Sequence, residues 1–188
     1  MRQSDSENLF QEWFDSLPEV TDLEKEYLDR VKANFLRLAK RPPILENAVK
    51  MVVLSPLLDL AGFYREPFLL ATEESIEIAI EDKDEIVRGR IDVLVIQKQL
   101  WLLIIESKIP SFYLLEAIPQ AIAYMLANPH PDKSVFGCVT SGEDFQFIKL
   151  IQQDKSEYAL SDRFTLSKRE NELYPFLRIL KKLSQILS

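Results

Sequence analysis

The stretch from Gly89 to Lys108 sets charged residues beside two runs that are otherwise wholly apolar, Val93 to Ile96 and Leu100 to Ile105. Continuous apolar runs of this length suit strands buried on both faces, because a strand with one face in water alternates. A short polar turn at Lys98 and Gln99 joins the runs into a hairpin. Centred on Gln99, that hairpin sets Asp92 across from Glu106. The period of two along a strand then turns Glu106 and Lys108 to the face of Asp92. Two carboxylates and an ammonium converge where burial makes an unpaired charge costly. They need a partner, and a divalent cation is a good candidate.

Size and composition narrow the setting. At 188 residues the chain suits one domain with a full core, or one domain plus a helical appendage. A net charge of −7 argues against a surface coated in basic groups, although it leaves room for a local basic groove. The single cysteine, Cys138, excludes internal disulfides and cysteine-based zinc sites, and reads as a small buried hydrophobe. The single histidine, His130, lies between two prolines in a loop, so histidine triads and multi-histidine metal sites have little to work with. Met1 to Asn8 has no apolar signal region, and no run reaches the roughly 18–20 apolar residues of a membrane span. The expectation is a cytoplasmic protein with no membrane partner.

The remaining elements follow from periodicity and punctuation. Thr21 with Glu24 reads as a capping box opening an amphipathic helix over 22–40, with Leu23, Tyr27, Leu28, Val31, Phe35, Leu36 and Leu38 at helical spacing and Pro42-Pro43 as the stop. A second helix is expected from Ile44 to Asp59, kinked or ended early by Pro56, with Glu46 in its first turn. Alone, Glu46 is equally well a helix-dipole carboxylate. Residues 66–80 read as one strand with room for a bend, closing in the acidic turn 81–85. Ser111 caps a helix over 112–127 that Pro119 divides, and Glu116, Gln120 and Tyr124 share one of its faces. Strands follow at 135–140 and 145–151, a short edge segment at 158–160, and a C-terminal helix through Leu173, Phe176, Leu177, Leu180, Leu183 and Leu187. This order gives an α/β layer with a mixed sheet.

With these motifs in hand, the chain resembles the PD-(D/E)XK nuclease superfamily over about residues 44–165. Asp92, reached through Gly89-Arg90-Ile91, matches the first motif, although the proline of the family name is missing. Glu106-Ser107-Lys108 matches the acidic-x-lysine motif, Gln120 and Tyr124 match a Gln-x-x-x-Tyr pattern on the next helix, and Glu46 matches a carboxylate on the first core helix. The Thr140-Ser141-Gly142 turn and its strands are similar to the N-terminal nuclease region of type I restriction R subunits and small stand-alone relatives. The resemblance implies a restriction endonuclease-like core, a central mixed β-sheet flanked by helices on both faces, over residues 42–188, with 1–41 a helical extension of the same globular unit.

It also implies chemistry. Asp92, Glu106, Glu46 and the Ser107 backbone carbonyl would hold Mg²⁺, with Mn²⁺ as substitute. Lys108 would orient the attacking water and offset charge on the phosphate. Gln120 would bridge lysine and substrate phosphate, and Tyr124 would brace its helix beside the substrate. Arg90 either contacts phosphate or pairs with a neighbouring carboxylate, and the residues favour neither. Arg37, Lys40 and Arg41, or else Lys168, Arg169, Arg178, Lys181 and Lys182, offer a phosphate track; a solvated helix face is the plainer account of each. The first reading is a Mg²⁺-dependent nuclease acting on DNA, with a homodimer plausible and any ATP-driven partner on a separate chain. The alternative is a non-catalytic nucleic-acid-binding or assembly module on the same fold, which the acidic balance favours and the intact Asp92, Glu106 and Lys108 oppose; taken by themselves, these three also read as a structural salt bridge at a sheet edge.

Overall fold

A computed structural model describes residues 2–3, 11–41, 44–80, 85–97, 100–107, 114–130, 132, 134–152 and 156–188, with backbone alone at 2–3, 11, 76–80, 85–90, 97 and 100–107. The expected turns at 81–84, 98–99 and 153–155, the Pro42-Pro43 stop, the Ser111 cap and Lys108 lie outside these residues. The elements are β1 (Arg2–Gln3), α1 (Gln11–Phe14), α2 (Asp22–Ala39), α3 (Glu46–Val49), a π-turn (Lys50–Leu54), α4 (Ser55–Ala61), β2 (Leu69–Ile80), β3 (Glu85–Gln97), β4 (Leu100–Ser107), α5 (Leu114–Leu126), β5 (Val135–Thr140), β6 (Asp144–Ile151), β7 (Glu157–Leu160), β8 (Phe164–Thr165) and α6 (Leu173–Leu187). Among the described residues, no helix is long and apolar enough to cross a membrane.

The strands form one mixed sheet in the order β1-β7-β6-β5-β4-β3-β2, with β8 also on β6. Strands β4 and β5 run parallel with α5 as their crossover, β1 runs parallel to β7, and the other neighbours are antiparallel. Arg2 and Gln3 thus cover β7, which is paired on both sides rather than an edge. Helices lie on both faces. Along β5, Val135 and Val139 pack with α5, whereas Phe136 and Cys138 face the cluster built by α1, α2, α3, the π-turn, α4 and α6. Burial of Cys138 pushes its thiol pKa up, as suits an inert core group. Trp13 stacks on Phe147 at 5.1 Å between ring centroids, and Phe147 on Phe176 at 4.6 Å, so the N-terminal segment belongs to that same core.

Helix α2 starts where its capping box says it must. Thr21 Oγ1 accepts the Glu24 N–H, and the Glu24 carboxylate accepts the Thr21 N–H at 2.8 Å. Only Leu28, Val31 and Phe35 (i, i+3, i+7) are buried; Leu23, Tyr27, Leu36 and Leu38 are exposed, so the apolar stripe is narrower than the spacing suggested. Burial opposes the charge of Glu24, but hydrogen bonds from Lys181 and Thr21 outweigh it and hold its carboxyl below the usual range. That contribution is present above the unfolded pKa and fades as pH falls through the folded one. Thr21→Ala is expected to lower stability by about 1 kcal/mol at neutral pH. Urea unfolding checks this; an unchanged midpoint would remove the box from the account.

The expected break at Pro56 is absent. Proline donates no hydrogen bond and crowds the carbonyl four residues back. Here the preceding turn widens instead, with the Ser55 N–H reaching the Lys50 carbonyl five residues back. The helical path therefore continues from Glu46 to Ala61 and ends at Gly62, whose φ of 90° supplies the left-handed cap. Pro119 likewise does not divide α5; the carbonyl it leaves without a donor belongs to Leu115, an exposed residue that water can reach.

Candidate active site

The central hairpin has the register that its symmetry implied. Val93 pairs with Ile105, Leu94 with Ile104 and Val95 with Leu103; Asp92 and Glu106 are the next residues on the two strands, just beyond the last pair of the ladder. A bulge between Val95 and Ile96 shifts the pairing towards the turn, away from the motif positions. Ile91, Leu94 and Val95 are fully buried and Val93 nearly so, as expected for a strand covered on both faces.

Alternation breaks at Asp92. Ile91 and Leu94 pack on the α5 side, whereas Val93 and Val95 pack on the other, so residues of equal parity face opposite ways. Facing this break across the β2–β3 ladder is Glu73, bracketed by the pairs Thr72–Val93 and Glu74–Ile91. Glu73 has a φ of 55°, a left-handed conformation that costs a residue with a Cβ about 1–2 kcal/mol. The irregularity coincides with the point where the Asp92 carboxylate meets the helix bearing Glu46.

That helix supplies the cation. Lys50 Nζ donates to Asp92 Oδ1 at 2.7 Å and lies 3.6 Å from Glu46 Oε1. The Asp92 side chain is 12% exposed and that of Lys50 19%, so the contact is largely out of water. Burial works against the Lys50 charge, yet the hydrogen bond and charge of Asp92, with Glu46 and Glu73, raise its pKa above the ordinary lysine value. Beside it opens a groove of about 300 Å³, lined by Lys50, Met51, Leu54, Ser55, Leu58, Tyr64, Leu70, Thr72 and Val93.

The other expected residues are placed as follows. Glu106 and Ser107 close β4 beside Val139 and Thr140 of β5, with only their backbone described. Arg90 pairs with Ser75 in the β2–β3 ladder, again as backbone. Gln120 Nε2 donates to the Tyr124 hydroxyl on α5, and Tyr124 is buried in the α5 cluster. The candidate phosphate tracks separate. Arg178 donates to the Leu17 and Pro18 carbonyls and Lys181 pairs with Glu24, so these two tie α6 to the N-terminal segment, while Lys168 makes a local pair with Glu172. Arg37, Lys40 and Arg41 are exposed and line a groove of about 490 Å³ with Asn34, Leu38 and Val52, the last from the π-turn that carries Lys50.

Lys50 and Glu73 were not among the expected site residues. The Glu46–Lys50 spacing of i, i+4 was a usable signal, since it stacks the two side chains on one helix face. Nothing in the sequence marks the backbone at Glu73. Among the described residues, no group of three or more His, Cys, Asp and Glu side chains stands ready to hold a metal. The test of fit is therefore the pair Glu46 and Asp92. Both offer hard oxygen donors, and both already face a cation, the Lys50 ammonium.

No protein-family model matches the chain, and no curated protein matches it in sequence. Among solved structures it is similar to a fragment described as an HsdR subunit of a type I restriction enzyme from Vibrio vulnificus YJ016, with a TM-score of 0.43 and 15% identity. The match covers 74% of this chain and 26% of that one, so the chain spans about a quarter of its length.

Proposed function

We propose that the chain is a metal-dependent nuclease that hydrolyses DNA phosphodiesters at the Asp92 centre, on a restriction endonuclease-like core. The observation that carries this reading is the convergence of Asp92 from β3 and Glu46 from α3 on one cationic position beside an open groove. Asp92 and Glu46 would hold Mg²⁺ or Mn²⁺, joined by Glu106 and the Ser107 carbonyl as the family resemblance implies. When bound, such a cation lowers the pKa of a coordinated water and offsets charge developing on the phosphate. The protein's own part is to fix the carboxylates, exclude bulk water on the α5 side with Ile91 and Leu94, and present Lys108 to the phosphate. Tyr124 holds the Gln120 amide in one orientation. The test is incubation of the purified chain with single- and double-stranded DNA and Mg²⁺ or Mn²⁺, beside Asp92→Ala and Lys108→Ala. Cleavage unchanged in both variants would sink the assignment.

The groove of Arg37, Lys40 and Arg41 is the proposed phosphate track, because it borders the π-turn carrying Lys50 and, among the described residues, these side chains make no bond to another element. Replacing all three by alanine is expected to weaken DNA binding and to flatten the salt dependence, by about 0.9 in log–log slope for each duplex phosphate no longer neutralised. Fluorescence anisotropy over a salt series measures this; an unchanged slope would return these residues to an ordinary solvated face. A second reading, a non-catalytic nucleic-acid-binding module, is favoured by one observation: Lys50 already neutralises part of the carboxylate charge. Under that reading the folded wild type takes up no metal in calorimetry.

A further inference from the structure

We propose that Lys50 is an internal counter-ion that holds Asp92 and Glu46 in the absence of a divalent cation, competes with it for them, and swings aside when it binds. This rests on the reading of Asp92 and Glu46 as metal-site carboxylates, and it concerns a residue outside the motifs of that reading. The ammonium bridges carboxylates from two separate elements, at 2.7 Å from Asp92 Oδ1 and 3.6 Å from Glu46 Oε1. A Mg²⁺ ion seated about 2.0–2.1 Å from carboxylate oxygens would share that small volume, and two cations so close in a largely dry contact repel strongly. Only one of them can hold the site.

The structure gives the displaced side chain a destination. Lys50 is the first residue of the π-turn, and its side chain borders the groove walled by Met51, Leu54, Thr72 and Val93. Apolar walls accept the lysine stem, and the open side of the groove leaves its ammonium in water. The Tyr64 hydroxyl donates to Ser55 Oγ at 2.8 Å and fixes one wall. Lys50 thereby settles the carboxylates before metal arrives, which keeps the site assembled and lowers its metal affinity.

The experiment is calorimetric titration of the full chain with MnCl₂ and MgCl₂, together with thermal melting. Lys50→Met and Lys50→Gln, checked for fold by circular dichroism, are expected to bind Mn²⁺ roughly tenfold tighter than wild type, since the charge opposing the ion is gone. Without metal they should melt earlier, and Mn²⁺ should raise their melting temperature more than that of wild type. Lys50→Arg keeps the charge and should stay near wild type. Arg65→Met removes an exposed charge next in sequence to Tyr64 of the groove wall and should shift affinity by no more than about twofold, because solvent and salt screen it. Affinity in Lys50→Met and Lys50→Gln equal to or weaker than wild type overturns the competition, and so does failure of both to fold with Mn²⁺ present. Wild-type binding that Asp92→Asn abolishes but Lys50→Met does not tighten overturns the competition alone. Absence of binding in wild type and both Lys50 variants overturns the metal reading with it.

Discussion

Asp92→Ala is expected to bring DNA cleavage down by about 10³-fold or more, equivalent to about 4 kcal/mol of lost transition-state stabilisation. Asp92 is the side chain on which the central hairpin and the first core helix meet, so no neighbour can move into its role without rebuilding both. Its loss leaves Glu46, 3.6 Å away, and the charge of Glu73 as the described carboxylates acting on the ammonium. The fold should survive. Lys50 is about a fifth exposed and can turn to water, so the stability loss should stay near 1–2 kcal/mol, below the 3–5 kcal/mol typical of breaking a fully buried pair. Asp92→Asn keeps the shape and a weak acceptor, and should be as inactive while melting closer to wild type. Rates of single-turnover cleavage with matched Mn²⁺ concentrations, read beside melting curves, separate the two effects. A folded Asp92→Ala within tenfold of wild-type cleavage would take Asp92 out of the chemistry.

The features legible in the chain are those set by local pattern. The Thr21–Glu24 box needs only residues three apart, and both bonds of it are present. The Asp92–Glu106 alignment follows from the symmetry of two apolar runs about Gln99, and the bulge at Val95/Ile96 spares it by falling on the turn side. Features set by competition between elements are not legible in this way. Pro56 satisfies either a kink or a π-turn, and the choice depends on packing of Val53, Leu54, Leu57 and Leu58 against the sheet, which rewards a continuous helix. The left-handed Glu73 is invisible because a glutamate gives no signal for it; the tertiary fold imposes it opposite Asp92. Leu23 and Leu36 fit a helical period yet are exposed, since a narrow contact with the core buries only one row of α2. Lys50 escapes notice for a related reason. The spacing of charges points to the hairpin or a metal as the source of positive charge for the carboxylates, and it gives no hint that a helix packed against that hairpin also brings a cation to them.

Gly142→Ala is expected to destabilise the protein by about 3 kcal/mol, the sum of a left-handed backbone penalty and overpacking. Gly142 follows β5 with a φ of 83°, and its N–H donates to Thr140 Oγ1 at 2.8 Å, so the turn cannot relax freely into another conformation. A Cβ at this position would lie 2.7 and 2.8 Å from the two methyl carbons of Val49 and 3.1 Å from the Phe35 ring. Both neighbours are fully buried or nearly so and have no solvent to move into. The strain must therefore pass to α3, where Val49 stands three residues after Glu46 and one before Lys50. Metal affinity should fall with stability, although Gly142 contributes no ligand. Val49→Ala in the Gly142→Ala background should relieve the clash while leaving the backbone penalty, so the double variant should lose less than the two single losses added together. Urea unfolding of the four proteins in this cycle measures the coupling. Additive losses would mean that the Gly142 turn and the Glu46 helix are not in the contact that ties the end of β5 to the site.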